Sequence, residues 1–211
     1  MTINSQSQEN LNIEITKITY NNNAAKYFEK QQPISATQSD IDKYISLLPQ
    51  TPKVLDLGCG VGRDSEYFCQ KGCQVTGIDF SEEMLCLAKK NVKKAKFEIR
   101  DIRNIDYPQS EFDGVWAMAS LLHISYADIG NVFKNVSRIL KVNGIFFVSV
   151  MEGKSQKLES HKYFVGKRFF VRYRRKFLEK MAFENGFEIL KSETVMFINK
   201  KWVRLLMRKI S

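Results

Sequence analysis

Two rhythms of apolar residues alternate along this chain, and they predict its elements. Lys53–Leu57 (KVLDL) is a short apolar run between Pro52 and Gly58, the pattern of a buried strand. Arg63–Gln70 reads as a helix ended by Gly72, and Gln74–Asp79 (QVTGID) as a second strand. Ser81 is placed to cap a helix that carries Met84, Leu85, Ala88 and Val92 on one side, with Glu82 and Glu83 in its first turn. Lys96–Arg100 and Phe112–Ala119 are two further strands. Ile129, Val132, Phe133, Val136 and Leu140 repeat at helical spacing up to Asn143-Gly144, and Ile145–Val150 (IFFVSV) is a fifth strand. Strands separated by helices of this length predict βαβ units and a parallel sheet.

The flanks differ from this core. Residues 1–18 are rich in Asn, Gln and Ser and are expected to be flexible. Residues 19–50 predict a helical cap: one helix before Pro33, then a second with Ser39 or Asp40 as its cap and Ile41, Tyr44, Ile45 and Leu48 on one face. Beyond residue 150, a helix over Arg174–Glu184 is expected to bury Phe177, Leu178, Met181 and Ala182 before Gly186. Phe187–Leu190 and Lys201–Met207 then follow without a helix between them, so they are expected to pair as a hairpin with a long loop. The expected fold is α/β: a Rossmann-like, doubly wound seven-stranded sheet, mostly parallel with an antiparallel C-terminal strand. Residues 19–211 would form one domain, with 53–150 as its core and 151–211 as a basic rim and closing hairpin.

Composition narrows the function classes. The 211 residues, 44% hydrophobic and 27% charged, suit a globular domain. No apolar run is long enough to span a bilayer, and the first residues lack the pattern of a secretion signal, so a cytoplasmic location and no membrane partner are expected. Four cysteines without a CxxC pair and two histidines predict neither a disulfide framework nor a metal site. The net charge of +10 is uneven: residues 151–211 carry 16 Lys and Arg against 6 Asp and Glu, which is the entire excess.

Ligands of open α/β sheets bind beyond the carboxyl ends of the strands. Asp56, Asp79 and Asp101 all fall at such ends, and Gly58-Cys59-Gly60-Val61-Gly62 forms the turn after the first strand. Glycines there let a ligand approach the backbone closely. The spacing is G-x-G-x-G rather than the dinucleotide G-x-G-x-x-G, and Asp56 would repel a diphosphate, so NAD suits the turn poorly. No GxxxxGK[ST] occurs, which excludes a P-loop. Asp79, 21 residues past Gly58, is spaced to hold two ribose hydroxyls. A nucleoside that carries a cationic group instead of phosphate fits this set.

In order, VLDLGCGVGRDSEYF, VTGIDFSEEMLCLAKKN, FEIRDI, FDGVWAMASLLHI and VSRILKVNGIFFVSV resemble the successive motifs of the class I S-adenosylmethionine-dependent methyltransferases, in particular the small single-domain members. The resemblance runs from about Tyr20 to the C-terminus. It implies S-adenosyl-L-methionine as cofactor and S-adenosyl-L-homocysteine as product. It places Asp56, Gly58, Gly60 and Gly62 near the methionine part, Asp79 on the ribose, and Phe80 and Met84 beside the adenine. It also implies that Asp101 accepts from the adenine amino group, that Ile102 packs beside it, that Ala117 borders the sulfonium, and that Tyr20 and Tyr27 close a lid. The usual Pro-Gly-Gly before the fifth strand reads Val142-Asn143-Gly144, and the Asn-Pro-Pro-Tyr motif of the amino-methylating enzymes is absent after the fourth.

His123, just past the fourth strand, is the candidate catalytic base and a candidate substrate contact. Residues 163–176 interleave aromatics with cations on the rim of the expected acceptor pocket, with Arg168 and Tyr173 as candidate substrate contacts. The expected reaction is in-line methyl transfer to a small molecule, an anionic one being favoured by the basic rim. The alternatives are an RNA acceptor such as tRNA, bound by the basic C-terminal third, and a non-catalytic cofactor-binding regulator.

Overall fold

Five strands that are apolar on both faces can be buried only between two helical layers, and this dictates the architecture. In the computed structural model, which describes residues 5–210, β1 (Lys53–Leu57), β2 (Gln74–Asp79), β3 (Lys96–Ile99), β4 (Phe112–Met118) and β5 (Leu140–Met151) lie mutually parallel. β8 (Phe187–Phe197) and β9 (Lys200–Lys209) complete a seven-stranded sheet of order β3-β2-β1-β4-β5-β9-β8. β9 runs antiparallel to both of its neighbours, so the mostly parallel sheet with one antiparallel closing strand is as expected. The strand order reverses at β1 and β4, and this creates the crevice above their carboxyl ends.

Helices α2 (Gln38–Ile45) and α3 (Arg63–Gln70) cover one face, where Tyr44, Phe68 and Phe147 surround Trp116. Trp116 stacks on Phe147 with centroids 4.0 Å apart. Helices α5 (Ile129–Ile139) and α6 (Arg175–Glu184) cover the other face, where Phe133, Val136 and Leu178 meet Phe146, Val148 and Leu205. α4 (Glu82–Asn91) is capped as its sequence predicts, with Ser81 Oγ accepting from Met84 N at 3.2 Å.

Several expectations change. Residues 1–4 lie outside the described residues, but from Ser5 the segment expected to be flexible is part of α1 (Ser5–Lys30). Its inward positions Ile13, Thr16, Thr19, Asn23 and Ala24 are mostly polar, so no apolar stripe announces it. Thr37, not Ser39 or Asp40, is the residue at the start of α2, and it makes no side-chain cap. α5 stops at Ile139, and Asn143-Gly144 lies inside β5, where Asn143 takes a positive φ of 65°. The expected long loop of the final hairpin is a two-residue turn, Ile198-Asn199, with φ of 46° and 58°. Both central residues sit in the left-handed region that matches the twist of a tight hairpin.

Residues 151–174 hold an unexpected hairpin of β6 (Ser155–His161) and β7 (Phe164–Arg172), apart from the main sheet. α1 docks on β7 through side chains that bond backbone. Phe169 N donates to Thr16 Oγ1 at 2.8 Å, Thr19 Oγ1 donates to Lys167 O at 2.6 Å, and Asn23 exchanges two bonds with Val165 at 2.9 and 3.0 Å. The Asn23 amide thus acts like a residue of a neighbouring strand. Its replacement Asn23→Leu, similar in volume, strands the Val165 N–H and C=O at a cost of about 1–3 kcal/mol. Amide hydrogen exchange should accelerate at Val165 and Phe169 and stay unchanged in β1–β5; equal rates throughout would show that α1 is held by other contacts.

Candidate functional site

Each acidic strand end is positioned by a different local device. Asp79 closes β2 with only 7% of its surface exposed, and its carboxylate accepts from Gly60 N at 3.0 Å and Ser81 N at 2.9 Å. Burial nevertheless dominates and lifts its pKa to about 6. Asp56, on β1, accepts from Ser65 Oγ at 2.6 Å; burial and then the nearby Asp64 push its pKa up. Asp64 is itself tied to Trp116 Nε1 at 2.9 Å and Arg63 at 2.7 Å. Asp101 receives the Arg103 guanidinium at 2.7 Å and caps a short 3₁₀ turn through Arg103 N at 2.8 Å.

These residues surround two adjoining cavities. The first, of about 80 Å³, is lined by Tyr20, Tyr27, Gly58, Gly60, Asp79, Phe80, Met84, Asp101, Ile102 and His123 among others. The second, of about 170 Å³, begins on the other side of the glycine turn, with Asp56, Arg63 and Asp64, and extends to Ser149, Trp202 and Arg204. Tyr27, Gly58, Gly60, Met118 and Ala119 line both. Ile13, Arg100, Met118, Ala119, Ser120 and Ile124 complete the first cavity and were not singled out by sequence. Ala119, a non-glycine residue at φ 56°, carries the one available signal, backbone strain at the end of β4, and that is visible only in three dimensions.

The three glycines separate by environment. A Cβ on Gly58 would lie 2.4 Å from Ser120 Cβ, so close packing requires that glycine. A Cβ on Gly62 would meet Val92, Ala88 and Phe97 at 3.1–3.3 Å; Gly62 lines neither cavity and serves the packing of α3 against α4. A Cβ on Gly60 would meet only Tyr27 Cε1, at 4.0 Å, and would project into open space shared by the two cavities. Ala117 is likewise displaced from its expected place: it is fully buried, and the next residues, Met118 and Ala119, form the wall.

His123 is held rather than free. Its Nδ1 lies 2.5 Å from the Phe169 carbonyl, which can only accept, so Nδ1 carries the proton. Burial drives the imidazole pKa down to about 3, and the neutral ring accepts the Tyr20 hydroxyl at Nε2, 2.8 Å away. Arg168 Nη1 donates to the same hydroxyl at 3.2 Å, and its guanidinium lies against Tyr20, Phe164 and Phe170. Arg168 lines neither large cavity; it is buried under α1. Tyr173 is fully buried, donates to the Ile124 carbonyl and stacks on Phe177, well inside the core instead of on the pocket rim.

A crevice at the switch point of a doubly wound sheet, with an acid at the end of β2 and an open glycine turn after β1, defines a nucleoside-binding α/β protein. Residues 54–144 match a family model described as a methyltransferase domain. The chain is similar to the putative methyltransferase YqeM of Bacillus subtilis, 38% identical over 108 residues that cover 49% of this chain and 44% of that protein. It is also similar to a ubiquinone biosynthesis O-methyltransferase of Pelagibacter ubique, 35% identical over 108 residues, 47% of this chain and 42% of that one. The chain thus spans less than half the length of these curated relatives. In fold it is similar to a Burkholderia thailandensis 1,6-didemethyltoxoflavin-N1-methyltransferase, with a TM-score of 0.78 at 19% identity over 100% of this chain and 93% of that one. Residues 54–144 are thus similar in sequence to methyltransferase domains, and the fold is similar to that of an S-adenosylmethionine-dependent methyltransferase.

The donor set fits that cofactor. The buried Asp56 is an acceptor beside a cavity, suited to a cationic group, and the open face of Gly60 is a cradle that a Cβ would fill. The glycines should therefore separate in experiment. Gly60→Ala should abolish S-adenosylhomocysteine binding in a calorimetric titration with a loss of about 1–2 kcal/mol of stability from its positive φ, whereas Gly58→Ala should chiefly unfold the protein. Retained binding by a folded Gly60→Ala variant would remove the turn from the site.

Proposed function

We propose that the chain binds S-adenosylmethionine across the two cavities and transfers its methyl group in line to a small molecule. The observation that carries this reading is the recess bounded by Asp79, Asp101 and Gly60, which adjoins the cavity lined by the buried Asp56. Asp79 would take the ribose hydroxyls, Phe80, Met84 and Ile102 the adenine, and Asp56 the amino acid end. The cofactor supplies an electrophilic methyl carbon by virtue of its sulfonium. The chain's own residues align the partners and exclude water. Tyr20 and Tyr27, carried by α1, cover the recess.

His123 positions Tyr20 in this reading and is not a free base, because its one lone pair already accepts the tyrosine hydroxyl. A nucleophile that arrives deprotonated, or as a neutral amine, needs no base. The partly closed cavities support a small acceptor, as does the likeness in fold to a methyltransferase described with bound 1,6-didemethyltoxoflavin and S-adenosylhomocysteine. Three arginines of the basic third are engaged within the fold: Arg168 in an aromatic cage, Arg172 with Glu159 at 2.5 Å, and Arg204 with Asp40 at 2.9 Å. The partly closed cavities, and not the charge, are what favour a small acceptor over RNA in this reading. No helix among the described residues is long and apolar enough to cross a membrane.

The raised pKa of Asp79 gives this reading a pH signature. Below its ordinary value of 3.8 the group is protonated in both folded and unfolded chains, and above about 6 it is ionised in both. Between them only the folded state keeps the proton, so this group's contribution makes stability fall as pH rises through that window. Hydroxyl donors require the ionised form, so cofactor binding runs the other way. S-adenosylhomocysteine affinity should be about tenfold lower at pH ~5 than on its plateau above pH ~7, and Asp79→Asn should weaken binding at pH ~7 by at least as much. Titration calorimetry across this range checks both; an affinity independent of pH and of Asp79 would overturn the assignment. Label from methyl-tritiated cofactor should appear in the small-molecule fraction of an extract and persist after nuclease treatment; its confinement to RNA would overturn the small-acceptor reading.

A further inference from the structure

Two hairpin tips and the end of α1 come together on one side of the molecule. Tyr27 of α1 and the residues just after the helix, Gln31 and Gln32, line the second cavity together with Phe197 and Trp202 of the β8–β9 hairpin. The same stretch of α1 holds the β6–β7 hairpin: Lys30 Nζ lies 4.8 Å from the centroid of the Tyr163 ring, and Asn23 bonds to Val165. Glu152 N donates to the Lys201 carbonyl at 2.9 Å, so the chain leaves β5 for β6 beside the tip of β8–β9.

Both tips expose apolar side chains. Tyr163 is 42% and Val165 77% exposed on one hairpin, Met196 66% and Ile198 60% on the other. Ile198 also suits its backbone poorly, being a β-branched residue at φ 46° in a two-residue turn that favours Asn or Gly. Burial does not offset that strain, so packing within the chain does not account for the residue. Exposed lysines flank the apolar groups: Lys26 and Lys30 on α1, Lys162 and Lys167 on the β6–β7 hairpin, Lys200 and Lys201 on β8–β9. Among the described residues none of these lysines makes a salt bridge. Glu159, the carboxylate that feels Lys200, is taken by Arg172 at 2.5 Å.

We propose that this side of the protein docks on an anionic lipid bilayer, with the lysines among the headgroups and Val165, Met196 and Ile198 entering the acyl boundary. Charge complementarity selects an anionic surface, to which each lysine adds attraction. The arrangement of the apolar groups selects a bilayer over a protein partner. Aliphatic side chains on separate turns do not form one continuous patch, but each can enter a fluid layer singly. RNA fits less well, because stacking needs open aromatic faces and the Tyr163 ring carries the Lys30 and Lys162 ammonium groups. Peripheral docking needs no spanning helix, so it departs from the expectation of no membrane partner without contradicting its grounds. It brings the Phe197 end of the second cavity beside the lipid, and it stands independently of the methyl-transfer reading.

Vesicle flotation tests the proposal on the full chain. Vesicles of phosphatidylcholine with about one-third phosphatidylserine should bind it roughly tenfold more tightly than phosphatidylcholine alone, and the difference should shrink as salt rises. Ile198→Asn removes the aliphatic tip without harming the fold, since Asn tolerates a positive φ, and Tm should not fall. Combined with Val165→Ser, it should weaken partition onto the anionic vesicles roughly tenfold. Lys162→Gln with Lys200→Gln should weaken partition severalfold and flatten its salt dependence, which gives a readout that does not rely on the apolar variants. Equal binding to both kinds of vesicle, binding to neither, or partition unchanged in both sets of variants would overturn the proposal. Displacement from the vesicles by tRNA at the same phosphate concentration would also overturn it and assign the lysines to RNA.

Discussion

The site depends on one buried carboxylate. Asp79 spans the gap between the glycine turn after β1 and the start of α4, with one oxygen on Gly60 N and the other on Ser81 N. Two backbone segments that diverge from neighbouring strands are thereby held at a set separation. Ser81 extends the arrangement by capping α4 and by donating to Asn21 of α1 at 2.6 Å. Bonds to backbone N–H groups favour the ionised form, and burial opposes it more strongly. The carboxylate therefore sits in an environment that further hydroxyl donors would improve, as expected of a group built to receive a ligand.

The placement of α1 beside the recess follows from the same logic. One side of this helix is tied to α4, where Lys17 pairs with Glu82 at 2.7 Å, and another to β7 through Thr16, Thr19 and Asn23. Few of these contacts are apolar. Their strength comes from backbone groups of β7 that would otherwise be stranded, each at a cost of about 1–3 kcal/mol. A helix held by hydrogen bonds can exchange them for bonds to water, which an apolar interface cannot do. Tyr20 joins this clasp to the recess by meeting Arg168 from β7 and His123 from the end of β4.

Charge separates into steering and placement. The +10 excess lies entirely in residues 151–211, yet not all of it is on a free surface. Arg168 is wrapped by three aromatic rings, and Arg204 is braced by Asp40 at the edge of the second cavity. The exposed lysines that remain are screened within about 10 Å at ordinary ionic strength. Arg204 acts at contact distance on Asp40, whereas the exposed lysines act only through the surrounding field.

The sequence by itself determined the core. Val54, Val75, Val115 and Phe146 alternate with helical repeats, so β1 to β5 and the helices between them were legible, as were Asp79, Gly58, Gly60 and Asp101 at strand ends. Apolar periodicity is written locally and needs no knowledge of distant partners. Tertiary structure alone decided what depends on residues far apart in the chain. It turned a polar N-terminal segment into a helix beside the recess, because the partners of Thr16 and Asn23 lie more than 140 residues away. It assigned Gly62 to packing and Gly60 to open space, and it moved Arg168 and Tyr173 from the pocket rim to the interior. It also engaged the lone pair of His123 with Tyr20. A residue's type states which bonds it can make, and only the fold states which of them are already made.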